Sequence, residues 1–130
     1  MIVIDASALA KVVLQEEGWE SVPLTSKTAT LDYALIEALN AIWKAVVQKR
    51  LDEEDAKERT EALKYFGKSL LLFEAKNYFE RGLEIALSEK ITVYDALYII
   101  LAEVLKAEFY TSDIRQFEAA KKYVKAKLIQ

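Results

Sequence analysis

Along this chain, short continuous apolar runs alternate with longer stretches in which apolar residues recur every three or four positions. Short apolar runs are typical of parallel strands covered on both faces, and the longer pattern is typical of amphipathic helices. The predicted strands lie at residues 2–4, 27–29, 70–73, 108–111 and 127–129. The predicted helices lie at residues 6–15, 32–50, 52–67, 75–89, 93–106 and 115–125. This alternation predicts one α/β domain spanning residues 1–130, a three-layer α/β/α sandwich around a short, mainly parallel sheet.

Polar residues and glycines predict where these helices begin and end. The expected N-caps are Thr30 or Asp32, Asp52 and Thr92. Gly18 and Gly67 are expected to end the first and third helices. In the second helix, six apolar residues follow the 3.6-residue spacing of an amphipathic helix: Leu35, Ile36, Leu39, Ile42, Trp43 and Val46.

Residues 91–113 contain the most apolar helix of the chain, followed by a short strand. A helix that is apolar nearly all round is normally buried between other elements. Asp95 lies at the start of this helix, and Asp113 follows the strand. A carboxylate held beside buried apolar residues is costly unless a cation meets it. This stretch therefore predicts a buried helix and two acids with a function.

The composition narrows the chemistry that the chain can perform. Its 130 residues contain no histidine and no cysteine. Ser-His-Asp and Cys-His catalysis, ordinary zinc sites and disulfides are therefore excluded. Carboxylates, hydroxyls, lysines and arginines remain, and the metal ions that suit them are hard ions such as Mg²⁺ or Mn²⁺.

The net charge of −3 is unevenly distributed along the chain. Residues 52–61 carry six acidic against two basic side chains, whereas residues 114–130 carry five basic against one acidic. The overall charge argues against a protein that coats nucleic acid non-specifically, and the uneven distribution leaves local binding open. No apolar run approaches the roughly 20 residues that span a bilayer, and the first residues lack the basic region of a secretory signal. We therefore expect a cytoplasmic protein without membrane contact.

Four acidic residues lie within apolar sequence: Asp5, Glu37, Asp95 and Asp113. Each has an ordinary explanation, since Asp5 and Asp113 are candidate helix N-caps. Glu37 fits a solvated helix face, and Asp95 fits a capping box with the preceding threonine. In a parallel sheet, however, the carboxyl ends of the strands share one edge, which brings Asp5 and Asp113 together. Several carboxylates in one pocket repel each other, and this arrangement predicts a divalent metal ion that activates water.

The sequence around these acids resembles the PIN-domain family over essentially the whole chain. The segments that carry the likeness are VIDASALAK, ALIEALNAIWK, TVYDALYIILAE and FYTSD, and YDALYIILA is the most specific. A stand-alone domain of this length is most similar to the VapC toxin of a VapBC toxin–antitoxin pair. The resemblance implies an endoribonuclease that hydrolyses RNA phosphodiester bonds with Mg²⁺ or Mn²⁺. It also implies a homodimer and a cognate VapB-like antitoxin that keeps the enzyme inactive.

The resemblance also implies roles for individual residues. The implied catalytic and metal-binding set is Asp5, Glu37, Asp95 and Asp113. Ser7 and Thr111 would support this set by hydrogen bonds, and Asn40 would orient Glu37 or a bound water. The chain departs from the family pattern after Asp113, where Ile-Arg-Gln-Phe is slightly longer than the usual spacing to the next apolar residue.

Three basic residues near these acids in sequence are candidates for contacts with RNA phosphates: Lys11, Lys44 and Arg115. They are explained about equally well as solubilising or ion-paired side chains. The basic helix predicted at residues 115–125 suits an RNA backbone, but a basic exposed face is more often only solvated. Tyr94 and Tyr98 are interpreted as core-packing residues.

Other protein classes fit this sequence less well. A phosphatase of the haloacid dehalogenase type needs a second aspartate two residues after Asp5, where this chain has Ser7. A receiver domain needs an aspartate after its middle strand, where this chain has Glu74. Two alternatives stay open: a PIN-like RNA-processing nuclease outside toxin–antitoxin systems, and a non-catalytic PIN-like module that binds RNA or protein. An antitoxin helix is expected to bind the apolar helix surface near residues 31–50.

Overall fold

The computed structural model describes all 130 residues and contains a five-stranded sheet in which every pairing is parallel. The strands are β1 (Ile2–Ile4), β2 (Thr28–Leu31), β3 (Leu71–Phe73), β4 (Glu108–Thr111) and β5 (Ala126–Leu128). Their order across the sheet is β3-β2-β1-β4-β5, so β1 lies at the centre. Every predicted strand is present, with ends shifted by at most two residues.

Six α-helices accompany the sheet. They are α1 (Ala6–Leu14), α2 (Ala34–Val47), α3 (Glu53–Ser69), α4 (Phe79–Glu89), α5 (Val93–Leu105) and α6 (Ile114–Ala120). Helices α1, α2 and α3 pack on one another, α4 packs on α5, and both α1 and α5 contact β1 and β4. The predicted α/β fold is confirmed. None of these helices has the length and the apolar content that crossing a membrane requires.

Helix α5 is the centre of the core. All seven residues from Ala96 to Ala102 are buried, so the helix is covered on every side over two turns. It packs on α4 and contacts β1, β2 and β4. The Thr92 hydroxyl caps its N-terminus by accepting the Asp95 N–H at 3.2 Å. The predicted start and the burial of this helix are confirmed.

The register of the two central strands positions the residues that follow them. Ile4 of β1 lies opposite Tyr110 of β4, and the Asp5 N–H donates to the Tyr110 carbonyl at 3.3 Å. Asp5 and the end of β4 therefore lie side by side at the carboxyl edge of the sheet. Strands β1 and β4 therefore form the edge at which the sequence predicted ligand binding.

The predicted glycine stops are wrong. Helix α1 ends at Gln15, which adopts the left-handed conformation (φ 53°). Gly18 does not end this helix. It has a φ of 90°, and no side chain fits at this position, because a Cβ would lie 1.8 Å from the Gln130 carbonyl oxygen. Helix α3 continues through Gly67 to Ser69. There the missing side chain allows close contact with Leu35, whose Cδ1 would lie 2.8 Å from an added Cβ.

Two other predicted helix boundaries also differ from the structure. Helix α2 begins at Ala34 without a side-chain cap, so neither predicted cap is used. Thr30 belongs to β2, where its buried hydroxyl donates to the Ile4 carbonyl at 2.7 Å. Helix α6 ends at Ala120 instead of residue 125, because the following residues turn back toward β5.

Helix α2 buries mainly its small residues. Its buried residues are Ala34, Ala38, Ile42 and Ala45. Three of its large apolar residues are exposed: Ile36 (67%), Leu39 (42%) and Trp43 (61%). Helix α2 packs on both α1 and α3, and its alanines are small enough to allow close approach of those helices. An apolar surface is thereby left uncovered on the outer side of α2.

We expect Leu101→Ala in α5 to destabilise the chain far more than Leu87→Ala in α4. Leu101 is fully buried, whereas the Leu87 side chain is 72% exposed, so only the first change leaves a cavity. The expected loss in the free energy of unfolding is about 2–5 kcal/mol for Leu101→Ala and below about 1 kcal/mol for Leu87→Ala. Urea unfolding followed by circular dichroism measures both. Equal losses in the two variants would contradict the assignment of α5 as the core helix.

Candidate active site

Asp5 is the most buried of the four acids singled out in the sequence. It is 4% exposed, and its carboxylate accepts three hydrogen bonds. Ser7 Oγ donates to Oδ1 at 2.6 Å, Thr111 Oγ1 donates to Oδ2 at 2.6 Å, and the Ala8 N–H donates to Oδ1 at 3.0 Å. The hydrogen bond from the Ala8 N–H makes Asp5 the N-cap of α1, which is the role that the sequence offered as the alternative to metal binding.

The two hydroxyls also connect Asp5 to the loop after β4. Ser7 Oγ accepts the Ser112 N–H at 3.0 Å, and Thr111 Oγ1 accepts the Asp113 N–H at 3.1 Å. Each hydroxyl therefore accepts a backbone proton from this loop and directs its own proton to the Asp5 carboxylate. The supporting contacts implied for Ser7 and Thr111 are present as geometry, and they fix the loop that carries Asp113.

Burial raises the pKa of Asp5 to about 6, since the charged form loses contact with water. The hydrogen bonds from Ser7, Thr111 and Ala8 oppose this shift, and the negative charge of Asp95 adds to it. No lysine or arginine forms an ion pair with Asp5. The carboxylate is thus buried and hydrogen-bonded, but its charge is not balanced by a cation.

The charge of Asp95 interacts with the charges of the other acids. Its half-buried carboxyl has a raised pKa because of burial and the charge of Asp113, while Thr92 and Arg115 act in the opposite direction. Its own charge contributes to the raised pKa values of Asp5 and Glu37. Asp95 therefore acts on all three of the other acids.

Glu37 is held by a tyrosine and not by the predicted asparagine. The hydroxyl of Tyr98, a residue only 1% exposed, donates to Glu37 Oε1 at 2.8 Å. Burial raises the pKa of the Glu37 carboxyl, the bond from Tyr98 lowers it, and the charge of Asp95 raises it. Asn40 is exposed and makes no hydrogen bond to Glu37, so that implied contact is absent, and its implied role in orienting a bound water stays a prediction. Tyr98 is buried as expected, but its contact with Glu37 gives it a second role that the sequence analysis missed.

Asp113 is exposed and caps α6 by accepting the Gln116 N–H at 3.2 Å. The Gln116 side chain is buried, and its Nε2 donates to the Asp95 backbone carbonyl at 2.8 Å. Gln116 therefore links the two acids, and its Oε1 has no hydrogen-bond partner. Only its position three residues after a candidate N-cap marks Gln116 in the sequence, and the sequence analysis did not select it.

The predicted cluster of four metal-binding acids is not assembled as a closed site. No three acidic side chains lie close enough together to hold one metal ion. Each acid is instead fixed by its own local bonds, at the N-termini of α1 and α6 for Asp5 and Asp113 and at Tyr98 for Glu37. Mutual repulsion between uncompensated carboxylates favours this separation. What the structure brings together is a set of acids that interact in pairs around Asp95.

The three predicted phosphate contacts lie in different surroundings. Lys11 Nζ donates to the Glu17 carbonyl at 2.9 Å, so it is tied to the end of α1. Lys44 is exposed and forms no ion pair. Arg115 lines a cavity of about 240 Å³ together with Asp95, Asp113, Thr92, Ile91 and Lys90.

The basic C-terminal region is largely neutralised. Lys121, Lys122 and Lys125 form ion pairs with Glu118, Glu89 and Glu108. The helix predicted at residues 115–125 ends before these lysines, so they do not form one helical basic face. The structure therefore gives no support to a contact between this segment and RNA, which the sequence had left open.

Tyr94 is not a core residue, contrary to the sequence interpretation. Its side chain is 63% exposed beside Asp95. The Tyr33 hydroxyl donates to the Tyr94 carbonyl at 2.6 Å, and the Tyr33 ring packs edge-on against the rings of both Tyr94 and Tyr98, with centroid distances of 5.9 and 5.4 Å. Tyr33 thus joins the starts of α2 and α5.

Comparison with known proteins identifies one curated relative and several structures. The chain is 34% identical over 116 residues to Ribonuclease VapC3 of Pyrobaculum aerophilum, a match that covers 86% of this chain and 88% of that protein. No family model matches the sequence. The crystal structure of PAE2754 from P. aerophilum is similar with a TM-score of 0.74 at 27% identity, covering 95% of this chain and 82% of the other. FitAcB from Neisseria gonorrhoeae shares the fold, with a TM-score of 0.56 at 17% identity over 97% and 96% of the two chains.

We expect Asp5→Asn to change how stability depends on pH. The pKa of about 6 in the folded chain lies above the ordinary value of 3.8, so between these values the folded state keeps a proton that the unfolded state releases. The free energy of unfolding of the wild type therefore falls relative to the variant as the pH rises through this window, by about 3 kcal/mol in all. Below the ordinary value and well above 6 the difference is constant.

Urea unfolding in EDTA at pH values across this window measures the difference. Asp52→Asn is the matched control, because Asp52 is an exposed N-cap and asparagine caps a helix equally well. Parallel pH curves for the wild type and Asp5→Asn would contradict the raised pKa.

Proposed function

This chain belongs to the VapC ribonuclease family, and from that premise we propose that it is an endoribonuclease that hydrolyses RNA phosphodiester bonds with a divalent metal ion. The observation that carries the proposal is the buried Asp5 carboxylate. It accepts three hydrogen bonds, has no cationic partner, and is influenced by the second negative charge of Asp95. Such an arrangement is stabilised by a bound cation.

The donors fit Mg²⁺ or Mn²⁺, since all of them are carboxylate oxygens. Asp5 and Asp95 would hold the ion, and Glu37 and Asp113 would complete the pocket. Mg²⁺ is commonly bound through one or two carboxylates with several waters, so a pair of acids supplies enough donors although no three acids lie together. The ion, when bound, supplies a Lewis acid that activates water and offsets the charge that develops on the phosphate.

The protein's own residues supply position and a base. Ser7 and Thr111 keep the Asp5 carboxylate ionised and oriented by donating to both of its oxygens. Tyr98 holds Glu37 by a hydrogen bond. The raised pKa of the Glu37 carboxyl means that it binds a proton more readily than an ordinary glutamate does. A base with such a pKa accepts a proton from the attacking water more readily. We therefore assign proton acceptance to Glu37 and metal binding mainly to Asp5 and Asp95.

A non-catalytic PIN-like module that binds RNA or protein is the second candidate. The separation of the acids favours it, because no three of them are close enough to coordinate one ion as they stand. The two candidates differ in metal binding. A nuclease gains stability from Mn²⁺ by mass action, whereas a module without a metal site does not.

We expect Asp95→Asn to abolish metal-dependent cleavage of a mixed RNA panel. This change removes the charge that acts on all three other acids, and the loss in rate is expected to be at least about 100-fold. Asp52→Asn, an exposed N-cap change far from the site in sequence, is the matched control and keeps wild-type activity.

Cleavage is measured with Mn²⁺, with Mg²⁺ and with EDTA, and the melting temperature is measured with and without Mn²⁺. Mn²⁺ is expected to raise the melting temperature of the wild type and of Asp52→Asn, but not that of Asp95→Asn. Equal cleavage by wild type and Asp95→Asn would reject the proposed site. Mn²⁺ stabilisation without any cleavage would favour the binding module.

We further propose an antitoxin partner and a homodimer, on two separate apolar surfaces. Helix α2 exposes Ile36, Leu39 and Trp43, which form an apolar stripe suited to an amphipathic helix of a VapB-like antitoxin. Helix α4 exposes Phe79 and Leu83 at i and i+4, a stripe suited to the same helix of a second copy.

These two assignments predict opposite effects of Trp43→Glu and Leu83→Glu. Trp43→Glu is expected to abolish binding of the small protein encoded beside the gene, with the dimer kept. Leu83→Glu is expected to give a monomer of 14.8 kDa that still binds that protein. Sedimentation and co-purification measure both. A wild type that is harmless when expressed alone and binds no neighbouring gene product would reject the toxin assignment but not the nuclease.

A further inference from the structure

The cavity beside Asp95 and Asp113 is lined by two acids and two bases. The bases are Lys90, which follows α4, and Arg115, in the first turn of α6. Lys90 and Arg115 are far apart in sequence. The chain between them forms α5 and β4 and returns to the same cavity. Lys90 was not selected by sequence analysis, because it precedes the segment TVYDALYIILAE that carries the family resemblance and belongs to no motif itself.

Neither of these two bases forms an ion pair. Eight of the 18 basic residues do so, including the three lysines after α6. Arg115 is close enough to Asp95 to act on its charge but lies outside ion-pairing distance. Lys90 adopts the left-handed conformation (φ 57°) as the C-cap of α4 and is exposed. The cations of this cavity are therefore available to a ligand.

We propose that Lys90 and Arg115 form a subsite for an RNA phosphate adjacent to the one that is cleaved. The acids of the cavity suit a metal ion bound to the scissile phosphate, and its two bases suit the next phosphate of the same strand. A chain with a net charge of −3 otherwise repels RNA, so binding requires local cations of this kind. This inference rests on the proposed ribonuclease function and adds to it the part of the site that holds the strand.

The test compares Lys90→Asn and Arg115→Gln with the wild type. Asparagine tolerates the left-handed conformation, so Lys90→Asn removes the charge without backbone strain. Lys49→Asn is the matched control, because Lys49 is also an exposed lysine with a positive φ, at 60°, and forms no ion pair. The probe is a short, fluorescein-labelled, mixed-sequence single-stranded RNA, measured by anisotropy in EDTA at several salt concentrations and by cleavage with Mn²⁺.

Each subsite variant is expected to bind the RNA about 2- to 5-fold more weakly and to raise KM by a similar factor with kcat unchanged. The slope of log K against log salt is expected to decrease in magnitude by about 0.7 for each charge removed. Both variants are still stabilised by Mn²⁺, and Lys49→Asn matches the wild type throughout.

An unchanged salt slope in both variants would overturn the subsite, as would a fall in kcat at constant KM. Loss of binding to poly-glutamate with RNA binding kept would also overturn it and would assign the cavity to an acidic protein partner. If the wild type neither cleaves nor binds RNA, the proposed function fails together with the subsite. If the wild type cleaves and the variants behave like it, only the subsite fails.

Discussion

The hydrogen bonds around the Asp5 carboxylate connect the end of β1, the start of α1 and the loop that carries Asp113. A buried carboxylate is costly without strong donors, and here Ser7 and Thr111 supply them from two different elements. Both hydroxyls also accept backbone protons from the loop after β4. Because β1 and β4 are neighbours in register, this network closes only when the central strands are correctly paired. Folding of the sheet and formation of the site are therefore one event.

The same network leaves a charge that the protein does not balance. Hydrogen bonds orient Asp5, yet burial and Asp95 still raise its pKa, and Asp95 itself is affected by Asp113. Helix N-termini and hydroxyls stabilise the acids one by one, but they do not remove the repulsion between them. This explains why each acid is well held in its own place while the set remains open. A site of this kind gains from a cation that interacts with several acids at once.

The sequence predicted the elements better than their faces. Helix α5 was predicted correctly because nearly every residue is apolar, so no choice of face was needed. For α2 the spacing of the apolar residues did not show which of them lie inside, because this depends on how closely α1 and α3 approach, and the buried face is mainly alanine. Similarly, the family resemblance implied that Asn40 orients Glu37 or a bound water, whereas the hydrogen bond to Glu37 comes from Tyr98 on another helix. Local spacing does not contain such tertiary contacts, and the same limit applies to Gln116.

Charge gives a further case in which placement matters more than composition. The C-terminal region has the largest excess of basic residues, but three of its lysines form ion pairs with Glu118, Glu89 and Glu108. The free cations that adjoin the acids are Arg115 and Lys90, and only one of them belongs to that region. A strand of RNA approaching this acidic protein is attracted where unpaired cations are exposed. The proposed phosphate subsite therefore depends on where Arg115 and Lys90 lie relative to the acids, and not on how many basic residues the chain contains.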